Sequence, residues 1–161
     1  MKNKNKYILA SSLLVVTSLF TACSQSASSV LDKDPIYAQN LQYTKIGKII
    51  QNDEVSAILN VTYLNSVDKK KYNTNNKQYF IIGTYVIDEN DSKYELQMNG
   101  QNYISSQEIK KDDDLYKNIA SKNHWGKYQL VSFSNTKDNN INVSYTDLKS
   151  KKNTIVTFIK E

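Results

Sequence analysis

Val55, Ala57, Leu59, Val61 and Tyr63 recur with period two, with Ser56, Asn60 and Thr62 between them. That alternation predicts a strand with one buried face. Residues 43–50 predict a strand before it, and Asn52-Asp53 supplies the turn. Residues 78–87 carry Tyr79, Phe80, Ile81, Ile82, Tyr85 and Val86 and are apolar on both faces, as in a strand central to a packed sheet. Tyr94, Leu96 and Met98 alternate again before a turn at Asn99-Gly100, and 102–109 predicts a weaker strand. Asp112, Asp113 and Asp114 precede Leu115, Tyr116, Ile119 and Ala120. Acidic residues ahead of i, i+4 apolar spacing predict a short helix within 112–121. Strand patterns return at Tyr128, Leu130, Val131 and Phe133, then at Ile141, Val143 and Tyr145, then at Thr154, Ile155, Val156, Phe158 and Ile159. Polar stretches at 135–140 and 147–153 separate them. The expected fold is all-β, an antiparallel β-sandwich of seven to eight strands with one short helix. The repeated long helices of a parallel α/β fold are missing from the pattern.

The first residues read as an address. Lys2, Lys4 and Lys6 precede an uncharged run at 7–20. At about 14 residues the run is shorter than the roughly 20 of a spanning helix and suits a signal-peptide core. Phe20-Thr21-Ala22-Cys23 resembles a bacterial lipobox, an apolar residue and two small ones before Cys. The resemblance implies cleavage after Ala22 and acylation of Cys23, with palmitate-type chains as the anchor. The expected domains are a lipoprotein signal peptide at 1–22, the lipidated Cys23 and a flexible tether at 23–35, and the sandwich at 36–161. Ser24 follows the Cys where an Asp would signal retention at the inner membrane, so the resemblance implies the outer membrane.

Composition narrows the function. The chain has 161 residues, a net charge of +5, one Cys, one His and four Gly. One Cys closes no internal disulfide, and one Cys with one His builds no zinc finger. Taking 22 residues from 161 leaves 139, and losing three lysines takes the charge from +5 to +2. A nucleic-acid partner therefore loses its electrostatic support.

Val61-Thr62-Tyr63-Leu64-Asn65, the segment from Trp125-Gly126-Lys127-Tyr128 to Phe133, and the closing Thr157-Phe158-Ile159-Lys160 carry a wider resemblance. They are similar to small outer-membrane lipoproteins of Campylobacter-type bacteria with a variant immunoglobulin-like sandwich. The resemblance implies an immunoglobulin-like fold, and a surface or adhesion role. Tyr128, two residues before Leu130, resembles a tyrosine corner between strands E and F, where the hydroxyl bonds to backbone. The inter-sheet Cys pair is absent, and the lone Trp precedes the Tyr strand instead of standing on strand C.

Candidate chemistry is sparse. His124 is the only imidazole, with Ser121 and Ser132 as its nearest nucleophiles in sequence, and no Gly-x-Ser-x-Gly surrounds either. It is expected in a loop, and no catalytic residue is assigned. Asp112–114 and Asp88-x-Asn90-x-Ser92 each look like calcium ligands in part. The first lacks the Gly and distal Glu of an EF-hand loop, and the second has Lys93 and Asn99 in their places. No metal or cofactor is expected. Asp88-Glu89-Asn90-Asp91-Ser92 also matches the acidic acceptor motif of bacterial N-glycosylation, which makes Asn90 a glycosylation candidate. Tyr63, Tyr85 and Tyr128 are expected in the core or at corners. Lys69, Lys70 and Lys71 are expected in a solvated loop.

The expected function is non-enzymatic: a membrane-anchored contact with envelope or host-surface protein or glycan. The alternative is a periplasm-facing accessory subunit that stabilises an envelope complex.

Overall fold

A computed structural model describes residues 35–73, 76–87 and 93–160. Cys23, the signal and tether segments before Pro35, and Asn90 with its motif lie outside the described residues. By its contacts the chain divides after Pro35, and the compact unit Ile36–Glu161 contains both sheets.

The chain order is helix α1 (Pro35–Gln42), strands β1 (Thr44–Gln51) and β2 (Glu54–Tyr63), helical turns α2 (Leu64–Val67) and α3 (Lys69–Tyr72), and strand β3 (Lys77–Val86). Strands β4 (Tyr94–Met98), β5 (Gln101–Asn102) and β6 (Ser105–Glu108) come next, then α4 (Asp114–Lys117), β7 (Lys127–Ser134), β8 (Asn140–Asp147) and β9 (Asn153–Ile159). Two antiparallel sheets result, in the orders β1-β2-β3-β7-β6 and β5-β4-β8-β9.

Turn chemistry sets the hairpins. Asn52 and Asp53 hold φ of 50° and 64° between β1 and β2, and Asn99 and Gly100 hold 47° and 76° between β4 and β5. Positive φ at both central residues matches the right-handed twist of the strands they join. Gly100 has open space around it, so only its backbone demands glycine.

The alternating positions meet between the sheets. Ala57, Leu59, Val61 and Tyr63 of β2 pack with Phe80, Ile82, Met98, Val131, Phe133, Ile141, Val143, Val156 and Phe158. Phe80 stacks on Tyr63 and meets Phe133 edge-on, with centroids 5.1 Å and 5.8 Å away. The expected central strand, β3, lies between β2 and β7. It is apolar on both faces because a second cluster covers the outside of its sheet. Leu64, Tyr72, Ile81, Ile109, Ile119 and Tyr128 form that cluster.

The details correct several sequence expectations. Nine strands stand among the described residues. The weak strand at 102–109 is two strands in different sheets, β5 and β6, with Tyr103 and Ile104 exposed at the crossing. The helix within 112–121 is the single turn α4. Ile119 and Ala120 are buried because irregular chain carries them onto the sheet, not by helical spacing. Lys69, Lys70 and Lys71 are helical, not loop: Asp68 Oδ1 accepts from the Lys71 amide (3.0 Å), and Tyr72 anchors the turn in the second cluster. Tyr63 and Tyr128 are buried, but Tyr85 is only half-buried.

Candidate contact site

The site is the loop between β6 and β7, built up from the sheet it crosses. The Ile109 amide donates to the Tyr128 carbonyl (2.9 Å) and carries the chain off β6. Asp113 Oδ2 accepts from the Lys110 amide (2.8 Å) and closes the first turn. Further on, buried Asn60 of β2 donates through Nδ2 to the carbonyls of Ala120 (3.3 Å) and Ser121 (3.4 Å). A polar side chain in mid-strand thus satisfies the backbone lying over it. Ser121 turns the chain with a φ of 56°.

Tyr128 fixes the end of the loop. Its ring lies against Gly83, where a Cβ would come within 2.5 Å of Cε1. Tyr116 meets the ring edge-on at 5.9 Å. The Tyr128 hydroxyl accepts from the Asn123 amide at 2.6 Å. Burial pushes the phenol above its usual range, the Asn123 backbone bond pulls it back in part, and Tyr116 adds to the rise. The hydroxyl thus bonds to backbone five residues upstream. The bond falls between β6 and β7, however, and Tyr128 faces the outer cluster, not the space between the sheets.

From this anchor a tight turn projects. The Gly126 amide donates to the Asn123 carbonyl (3.0 Å), and the Trp125 amide donates to Asn123 Oδ1 (3.0 Å). Asn123 thereby closes both a backbone turn and an Asx-turn. A Cβ at Gly126 would stand 3.2 Å from the Tyr128 hydroxyl and 3.3 Å from the Asn123 carbonyl. His124 and Trp125 occupy the two central positions. His124 is exposed, and Trp125 is 80% exposed, the most of any large apolar residue among those described. Lys122 packs beside the turn, its Nζ bonded to the Lys117 carbonyl (2.8 Å) and 5.1 Å from the Tyr116 ring centre. The loop therefore holds a large aromatic ring in solvent on a backbone fixed from below. Such a ring offers contact area with little ordering cost.

Residues singled out from sequence take other places. Ser132 is buried in β7, its hydroxyl bonded to Ser105 Oγ (2.6 Å), while Ser121 is exposed on the loop. Asp113 serves the turn, and Asp114 pairs with Lys117 at 2.8 Å on the surface. No group of three metal-ligating side chains is gathered among the described residues.

Among the described residues, two pockets at the ends of the sandwich are lined by hydrogen-bonded polar groups. One, of about 170 Å³, is lined by Tyr63, Asn65, Gln78, Asn135 and Lys160. Its polar groups serve each other: Tyr63 donates to Gln78 (2.6 Å), Gln78 to Asn135, and Lys160 to Asn135 (2.8 Å). The other, of about 400 Å³, is lined by Gln51, Ser56, Tyr94 and Asp147 among others. Buried Asp147 accepts there from Gln51 Nε2 (2.7 Å), Ser150 Oγ (2.8 Å) and the Lys149 amide (2.8 Å). Burial pushes this carboxyl up, yet the Ser150, Lys149 and Gln51 bonds together hold it below its usual range. Both sets of bonds tie strand ends together.

Trp125 was not singled out as a contact residue from sequence. The available signal was the chain's only Trp in a run of polar residues, followed by Gly. No protein-family model matches the chain, no curated protein matches its sequence, and no solved structure matches its fold.

Proposed function

We propose that this chain is a non-enzymatic lipoprotein, anchored in the outer membrane through Cys23, that contacts protein or glycan at the cell envelope through the Trp125 turn. The observation that carries the reading is the 80% exposure of Trp125 on a turn fixed by Asn123, Gly126 and Tyr128. Exposed aromatics with few rotatable bonds are the commonest anchors of binding surfaces.

The fold proposed is an immunoglobulin-like sandwich, as in the Campylobacter-type lipoproteins that the sequence resembles. Strand order supports it. Strands β2, β3, β7 and β6 follow the order A-B-E-D, and β9, β8, β4 and β5 follow G-F-C-C′, with β1 added outside strand A. In that frame Tyr128 belongs to strand E, and Met98 stands on strand C, where antibody domains carry their Trp.

The test has two parts. Intact mass of the protein from its native host should show cleavage after Ala22 and acylated Cys23, and a glycan mass lost in Asn90→Gln. External protease on intact cells should remove the domain. An acylated but protected protein would favour the periplasm-facing accessory role, and a free Cys23 thiol would remove the anchor.

A further inference from the structure

The smaller pocket is walled mainly by side-chain amides. Gln78 comes from β3, Asn135 follows β7, Lys160 follows β9, and Asn65, Asn73 and Asn76 come from the chain between β2 and β3. Two groups that only donate fix the direction of these amides. The Lys160 ammonium has no acceptor, so the Asn135 atom it meets at 2.8 Å is Oδ1. Asn135 Nδ2 therefore points the other way and donates to Asn76 Oδ1. Gln78 Nε2 also donates to Asn135 Oδ1, which leaves Gln78 Oε1 to accept from the Tyr63 hydroxyl (2.6 Å). The Tyr79 amide orients the rest. It donates to Asn65 Oδ1 (2.7 Å), so Asn65 Nδ2 donates to the Lys77 carbonyl (2.9 Å) and to Asn73 Oδ1 (2.7 Å).

The outcome is one-sided. The side-chain oxygens of all five amides accept within the network. Asn73 Nδ2 and Asn76 Nδ2 have no hydrogen-bond partner among the described residues, and neither has the ammonium of Lys77, which also lines the pocket. Lys160 bonds only to neutral oxygens, Asn135 Oδ1 and the Thr136 carbonyl (2.8 Å). Among the described residues no Asp or Glu lines the pocket. Asp138, the acid nearest Asn135 in sequence, accepts from Thr136 and Asn99 and lines a different pocket. Donors and positive charge are what the pocket has to offer. We propose that it binds a small oxyanion, one with several acceptor oxygens such as an acidic sugar or a phosphate group presents. The volume of about 170 Å³ equals that of about five or six waters, which limits the ligand to a single sugar unit or phosphate group. The proposal rests neither on the Trp125 turn nor on acylation of Cys23.

The test titrates the full chain with sodium glucuronate, inorganic phosphate and glucose, and follows side-chain amide signals by NMR. Both anions should bind at least about tenfold more tightly than glucose, and more weakly as salt rises. The Asn73 and Asn76 signals should shift, and that of Asn102, on β5 of the other sheet, should not. Lys77→Gln and Lys160→Gln should each weaken binding about tenfold. Lys77→Gln should leave the thermal midpoint unchanged, because its ammonium makes no bond within the fold. Glucuronate binding more tightly than phosphate would assign an acidic sugar, and the reverse order a phosphate group. Binding of neither anion would overturn the proposal, as would glucose binding as tightly as the anions. So would anion binding that both lysine variants retain, or that shifts Asn102 and not Asn73 and Asn76.

Discussion

At the scale of single residues, two polar groups hold more structure than their neighbours. Asp147 gathers donors from Gln51, Lys149 and Ser150 at one end of the sandwich. Asp147→Asn would turn an amide donor toward those donors and should cost about 1–3 kcal/mol near neutral pH. The pH dependence comes from a folded carboxyl held below its ordinary value. Its stabilisation is complete above the unfolded value of about 4 and is lost as pH falls through the folded one. Urea midpoints measured from neutral pH down to about pH 3 should therefore converge for parent and variant at the acid end. Tyr128 supplies the second case. Tyr128→Phe removes the acceptor of the Asn123 amide and should lower stability by about 1–3 kcal/mol. The parent, whose phenol is raised by burial, should lose the corresponding stabilisation as pH rises above about 10, whereas the variant should not. Alkaline denaturation of the pair checks this.

At the scale of elements, two close approaches shape the sandwich. Gly83 lets the Tyr128 ring lie on β3, and Gly47 lets β1 reach Thr154 of β9. An added methyl at either place falls far inside van der Waals contact with those side chains. Gly83→Ala and Gly47→Ala should each cost about 1–3 kcal/mol by overpacking. Gly100→Ala, in open space, should cost only the backbone strain, about 1 kcal/mol. Thermal midpoints of the three variants rank the effects.

Much of this level was legible in the sequence. Period-two alternation marked β2, β4, β7, β8 and β9, and the double-faced run at 78–87 marked a central strand. Asn52-Asp53 and Asn99-Gly100 marked their turns. What was hidden depends on partners distant in the chain. The crossing at Tyr103-Ile104 looks like the middle of a strand, because local pattern carries no information on which sheet a residue joins. Ile119 and Ala120 look helical, because burial against Ile81 and Asn60 mimics i, i+4 spacing. The contact turn was hidden for the same reason. Its rigidity comes from Tyr128 lying on Gly83, two residues from different strands.

At the scale of the whole molecule, Trp125 is the most exposed large apolar residue among those described. The turn that holds it stands at the start of β7, which lies between β3 and β6. Trp125→Ala removes a side chain with no core contacts, so it should leave the thermal midpoint within about 0.5 kcal/mol of the parent. It should abolish partner contact all the same. The most direct measurement places a photo-crosslinking side chain at position 125 in the full chain, in cells of the native host, with an exposed control at position 137. A discrete adduct formed with an envelope protein or glycan from position 125, and not from 137, is the predicted result. Identical labelling from the two positions, or none from 125, would contradict the account.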